Sequence, residues 1–351
     1  MISTSFSIPT PVLSILVPTF NRAEIFRQTL KHLLSEIQKL EGLVEVVIGD
    51  NASTDGTSTV LEELTSEYSR SIRRELNIGA WRNIVELATV ARGDWVLILG
   101  DDDFLVPNTL MKLVTNLRHS QGVDFVSINY GWINSDILRS SLEKGEKIKL
   151  PHDRMWLVSN DMSFKNGLNL YEQPSSFAAG SFGALFGFAV QRNIFNDYAK
   201  DIKPGLLTDG FNEFDFALED AFPHSILALE IIGTRPIKLL SDVYVLQGVG
   251  GWQWKNFLYR TVIIGHVWLF DRFESIIPKA AWLSLSSYAG IRLARMVKDP
   301  VSNAGFSDIE KAAVPSLLVW PSFESSFFSE CDRIGVAQEG IALLKKWKNV
   351  K

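Results

Sequence analysis

An α/β fold on a mainly parallel sheet is what this sequence predicts, and three observations predict it. Short apolar runs, the pattern of strands buried on both faces, recur through the first third of the chain. Each leads through a polar link into a segment with helical spacing of its apolar residues. Alternation at these lengths implies mainly parallel pairing with helices on both faces of the sheet.

The elements follow in order. "VLSILVP" (12 to 18) reads as a buried strand ending at Pro18. Phe26, Leu30, Leu33, Leu34 and Ile37 then recur at helical spacing, with Asn21 and Glu24 placed as a capping-box variant. Residues 44 to 48 predict a second strand, followed by a polar loop and a helix starting near Thr57 or Ser58. A helix from about 80 to 91 and a strand from 95 to 99 repeat the scheme. Pro107 suits a first helical position, and Leu110, Leu113, Val114 and Leu117 mark the helix after it. "DFVSINY" alternates like a strand. Residues 255 to 351 read as helices rich in Trp, Phe and Leu, interrupted at Pro278, Pro300, Pro315 and Pro321.

At 351 residues the chain has room for one large α/β domain with an appended piece, or for two domains. A net charge of -5 supplies no basic field for nucleic acid, so any phosphate must be met locally. The single cysteine, Cys331, excludes an internal disulfide and a thiolate metal cluster. "MISTSFSIPTPV" has neither the basic nor the apolar region of a secretory signal. With no uninterrupted apolar run of roughly 18 residues, the expected location is the cytoplasm.

In such a sheet, functional groups belong at the carboxyl ends of the strands. Three polar clusters fall there: "PTFNR" (18 to 22), "GDNASTDGT" (49 to 57) and "GDDD" (100 to 103). Three adjacent aspartates repel one another unless a cation or a set of donors offsets their charge. Oxygen-rich clusters suit Mg²⁺ or Mn²⁺, which typically bind through one or two carboxylates plus substrate phosphates. A metal carrying a diphosphate is the economical explanation.

On these motifs the chain resembles the family 2 glycosyltransferases of the GT-A (Rossmann-like) fold. The resemblance rests on "VPTFNR" (Val17 to Arg22), "IGDNASTDGT", the segment with Asn77, Gly79, Arg82 and Asn83, and the acidic run, covering roughly residues 12 to 130. It implies a nucleoside-diphosphate sugar as donor, with Pro18, Thr19, Arg22 and Asn51 lining the nucleotide pocket and Asp50 accepting a hydrogen bond from the base. Asp55 would order its loop or the pocket, although Asp55-Gly56 also suits a plain turn and cap. Arg82 would offset diphosphate charge if it faces the loops, and is otherwise a surface helix residue. Relatives often spell the acidic motif "LDSDD", so Gly100 stands where an aspartate is usual. Asp101 and Asp103 keep a D-x-D spacing, while the register of the strand favours Asp102 and Asp103. Asp103 is the expected metal ligand in either register, with Asp101 or Asp102 on the ribose or metal-bound water.

The resemblance further implies an inverting transfer, with Asp220 of the Glu219-Asp220 pair as base and Asp209, Glu213 and Asp215 as competitors. His224 would orient a sugar hydroxyl, or serve in capping or packing. "SSFAAGSFGALFGFAVQRN" reads as a buried strand bordering the acceptor cavity, and Trp252 and Trp254 follow a glycine hinge as sugar-stacking candidates. The expected division is a catalytic domain over 1 to 250 (12 to 130 for the nucleotide sugar, 131 to 250 for the acceptor) and a helical region over 251 to 351. That region would pack on the catalytic domain, self-associate, or touch a membrane carrying lipid-linked saccharide acceptors. The expected setting is bacterial surface polysaccharide assembly, such as an O-antigen. Two other readings remain: a degenerate carbohydrate-binding scaffold, and a sugar-phosphate nucleotidyltransferase, whose glycine-rich phosphate loop is missing.

Overall fold

The apolar run that opens the sequence forms β1 (Leu13–Thr19), whose residues from Leu13 to Val17 are almost wholly buried. A computed structural model describes residues 10–144, 160–172, 184–202, 222–249, 258–298 and 306–349. The chain divides into two compact units. One comprises Met1–Asn166, Leu185–Phe211 and Glu230–Gly251, and the other Gly167–Ala184, Asn212–Leu229 and Trp252–Lys351.

The first unit holds a mixed sheet in the order β3-β2-β1-β4-β8-β6-β9-β5, with β7 also on β9. Its strands are β1, β2 (Val44–Asp50), β3 (Ser69–Arg73), β4 (Trp95–Ile98), β5 (Phe104–Leu105), β6 (Phe125–Asn134), β7 (Met162–Phe164), β8 (Phe188–Gln191) and β9 (Ile237–Val249). The expected parallel pairing holds from β3 through β2 and β1 to β4. Beyond β4 the sheet becomes mixed, because β8 enters antiparallel to both β4 and β6, while β9 runs parallel to β6.

Helices α1 (Ala23–Gln38), α2 (Thr57–Glu63), α3 (Ala80–Val90), α4 (Leu110–Arg118), α5 (Ser135–Lys144) and α6 (Arg192–Ala199) belong to this unit. Phe26, Leu30, Leu33 and Ile37 form the buried stripe of α1, as their spacing predicts. Each such side chain contributes about 1.5–3 kcal/mol on burial. Leu110, Leu113, Val114 and Leu117 do the same for α4.

Three local readings need correction. Asn21 does not cap α1: it has φ 53°, and its Oδ1 accepts from Thr54 N. Arg22 is the N-cap, while Asp55 Oδ2 from the next loop takes the N–H of Ala23. Pro107 is not the first residue of α4. The chain is still bound to β9 at Val106, whose N–H donates to Tyr244 O, and Asn108 must turn at φ 63° before the helix can start. Finally, β3 was not anticipated at all.

The second unit is helical among its described residues: a 3-10 turn (Gly167–Glu172), then α7 (Pro223–Ile232), whose last three residues count with the first unit, and α8 (Leu258–Arg272). They are followed by α9 (Lys279–Lys298), α10 (Phe306–Ala312), α11 (Val314–Leu318), α12 (Pro321–Ile334) and α13 (Ala337–Asn349). Helices α9 and α12 approach closely at Gly290, where a β-carbon would come within 2.5 Å of Phe323 O. Trp282 stacks on Trp320 beside them. No described helix is long and apolar enough to cross a membrane.

Candidate nucleotide-sugar site

The parallel register brings the predicted clusters together. Thr19 pairs with Asp50 at the ends of β1 and β2, and Thr19 O accepts the N–H of Asn51. On the other side of β1, Leu99 N donates to Leu16 O, which delivers the acidic loop beside Thr19. The Thr19 hydroxyl donates to Asp101 Oδ2 at 2.8 Å. Pro18, half-buried, precedes it on the same strand end.

Arg22 completes the link. Its Nε lies 3.4 Å from Asp101 Oδ1 and its NH2 2.5 Å from Asp102 Oδ2. All three side chains are mostly buried, at 15%, 12% and 20% exposure. Burial pushes the Asp101 carboxyl up to about 6, with the Arg22 charge pulling down and Asp102 pushing up. Asp103 is more buried still, and burial with two carboxylate neighbours drives it well above the usual range. Its partners are the backbone N–H groups of Gly100 and Gly248. Asp103 thereby joins the acidic loop to the end of β9.

The loop is also held from α1. Thr29 Oγ1 donates to Asp101 O at 2.7 Å, and His32 Nε2 donates to Leu105 O at 2.8 Å. Neither residue was singled out from sequence. The available signal was two polar residues interleaved with the apolar stripe of α1.

Asp50 is fully buried. Its Oδ1 accepts from Ser53 N at 2.9 Å, while Oδ2 has no hydrogen-bond partner among the described residues. Arg73 Nε stands 3.9 Å from that oxygen, and its NH2 donates to Ser53 O. Asn51 bridges to the next loop: its Oδ1 accepts from Ile78 N, and its Nδ2 donates to Asn77 Oδ1. Asn83 Nδ2 donates to Gly49 O, and a β-carbon on Gly49 would sit 2.5 Å from Asn83 Oδ1. Asn83 therefore clamps the end of β2, and Arg73 is a site-edge cation that the motif reading missed.

Asp55 acts as a cap and loop staple. Its Oδ1 accepts from Thr57 N and Oγ1, and its Oδ2 accepts from Ala23 N. Burial raises its carboxyl, but the bonds from Thr57 and Ala23 outweigh that and lower it. Arg82 is exposed and pairs with Glu86 one turn along α3, so the structure does not bring it to the acidic loop. His224 is buried. Asp209, Glu213, Asp215, Glu219, Asp220, Trp252 and Trp254 lie outside the described residues.

Among the described residues, no group of three or more His, Cys, Asp or Glu side chains forms a metal cage. A metal here would rest on one or two carboxylates and be completed by phosphate and water. The donor set fits that chemistry: Asp101 Oδ1 and Asp102 Oδ2 are hard oxygens already converging on one cationic group.

The comparisons agree with this architecture. Abequosyltransferase RfbV of Salmonella typhimurium is 31% identical over 141 residues, covering 36% of this chain and 42% of RfbV. An uncharacterized glycosyltransferase of Haemophilus influenzae is 31% identical over 115 residues, 33% of this chain and 37% of that one. The matched stretches thus span less than half the length of these curated relatives. The crystal structure of S. aureus TarS 1-349 in complex with UDP aligns over 93% of this chain and 87% of that one, with TM-score 0.51 and 18% identity. The same protein in complex with UDP-GlcNAc aligns over 91% and 80%, with TM-score 0.51 and 16% identity. The model of Glycosyl transferase family 2 matches residues 14–192, the span that contains all three strand-end clusters, and the chain belongs to that family.

Proposed function

We propose that the chain transfers a sugar from a nucleoside-diphosphate sugar to a saccharide or lipid-linked saccharide acceptor, with inversion, in bacterial surface polysaccharide assembly. The observation that carries the donor reading is Asp50. A buried carboxylate oxygen without a hydrogen-bond donor costs about 1–3 kcal/mol, and Asp50 Oδ2 has no such donor among the described residues, beside the Thr19 that holds the acidic loop. A base N–H satisfies it. The UDP and UDP-GlcNAc complexes of TarS and the activity in the name of RfbV support the same reading.

In this proposal Asp101 and Asp102, with Asp103 behind them, hold Mg²⁺ or Mn²⁺, and Pro18, Thr19 and Asn51 border the nucleotide. When bound, the cation offsets charge on the departing diphosphate. Asp220 takes the proton of the acceptor hydroxyl as general base. The C-terminal region, residues 251 to 351, provides the surface for self-association or for contact with the cytoplasmic face of a membrane.

Thermal-shift and calorimetric titration with UDP, GDP, CDP, ADP and dTDP, each with and without Mn²⁺, tests the proposal. One nucleotide should bind with metal enhancement, and its sugar conjugate should be slowly hydrolysed. If none binds under either condition, the donor-site reading is wrong.

A further inference from the structure

We infer that Arg22 is an exchangeable counter-ion: its guanidinium fills the cation position between Asp101 and Asp102 until a divalent cation arrives, then passes to the diphosphate arriving with it. The inference rests on the donor-site reading above and adds what must leave for that site to fill.

The geometry requires an exchange. Thr19 occupies Asp101 Oδ2, so Asp101 presents Oδ1 to Arg22, and Asp102 presents Oδ2. A divalent cation seated between these carboxylates competes with Arg22 for the oxygens it holds, and two cations side by side there repel strongly at this burial. The backbone of Arg22 is not what moves. Its N–H donates to Thr57 Oγ1 at 3.2 Å, and the next N–H, of Ala23, is capped by Asp55. Only the flexible side chain is free to swing from this fixed root. Its destination follows from chemistry: the planar fork that matches a carboxylate also matches a phosphate bidentately.

A thermodynamic signature follows. Metal alone must displace Arg22 and offers it no new anion. Metal with diphosphate displaces it and supplies one. Metal and diphosphate therefore bind with positive coupling, and linkage makes that coupling reciprocal.

The test is calorimetric titration of Mn²⁺ alone, of inorganic pyrophosphate alone, and of each with the other saturating, on wild type, R22Q and R22K. R22Q should bind Mn²⁺ alone about 10-fold more tightly and pyrophosphate more weakly, and the mutual enhancement should shrink by about 10-fold. R22K keeps a competing charge and should bind Mn²⁺ nearly as wild type does. A merely structural role for Arg22 would leave Mn²⁺ affinity unchanged or lower it in R22Q, and either result overturns the exchange. Should R22Q fail to fold, NMR of the wild-type Arg22 Nε–H decides. Its resonance, assigned through R22K, should move with Mg²⁺ plus pyrophosphate, and a stationary resonance overturns the exchange. Wild type that binds neither metal nor any nucleoside diphosphate would instead remove the donor-site reading beneath it.

Discussion

The Asp103 carboxylate lies against Gly100, so closely that a β-carbon at position 100 would come within 2.4 Å of Asp103 Oδ2. Gly100 is thus the residue that lets Asp103 fold back onto backbone N–H groups. The family's usual aspartate at this position does not fit this loop as built.

Gly100→Ala should therefore displace Asp103 and loosen the acidic loop from β9. Overpacking of this kind costs about 1–3 kcal/mol in stability, and metal-dependent nucleotide binding should fall with it. Gly100→Asp should be worse than alanine rather than a restoration. Paired urea melts and Mn²⁺-nucleotide titrations check both, and improved binding by Gly100→Asp would refute the packing argument.

Asp50→Asn separates folding from recognition. The amide oxygen can still accept from Ser53 N, while an NH2 replaces Oδ2, which takes no hydrogen bond among the described residues, and turns an acceptor into a donor. Stability should stay within about 1 kcal/mol of wild type, whereas nucleotide affinity should drop by about 10-fold or more. A melting curve and a titration on the same sample suffice. Equal losses in both would make Asp50 a structural residue only.

Glu45 supplies a stability prediction remote from the acidic loop. It is buried at the other end of β2, and it accepts from Ser14 Oγ, Arg92 N and Arg92 Nε, with Arg70 nearby. Burial raises its carboxyl, but these donors and charges outweigh burial and lower it below 4.5. Because the folded value is depressed, its stabilisation is present above about pH 4.5 and lost as pH falls through the folded value. Glu45→Gln should cost about 1–2 kcal/mol at pH 7, because the arginines it leaves behind are half exposed, and the gap to wild type should narrow at pH 3. Urea melts at the two pH values measure it.

Asp220→Asn should preserve donor affinity and lower the transfer rate by about 10²-fold or more if Asp220 is the base. The product should carry the opposite anomeric configuration to the donor. Near-normal turnover would move the base to Asp215 or Asp209, while retained configuration would exclude an inverting displacement altogether.

The elements that bury a periodic apolar stripe were legible in the sequence, as α1 and α4 show. The ends of those elements were not, because distant residues decide them. Asp55 caps α1 from another loop, and Tyr244 of β9 holds Val106 extended past the point where Pro107 invited a helix. β3 escaped because "SRSIR" is polar and half exposed, as an edge strand can be, and gives no alternation to read. In the site, residue types were readable and partners were not. Nothing in "GDDD" says that Asp103 turns inward to Gly248 while Asp101 and Asp102 face Arg22.

The anchoring of α1 has a consequence for dynamics. Through Thr29 and His32 the helix grips the acidic loop at Asp101 and at Leu105. The two segments should consequently open and close as one cooperative foldon, not as a flexible loop over a static helix. Amide hydrogen exchange in the first three turns of α1 would then slow in step with the loop when donor binds, although the helix itself need not touch the sugar.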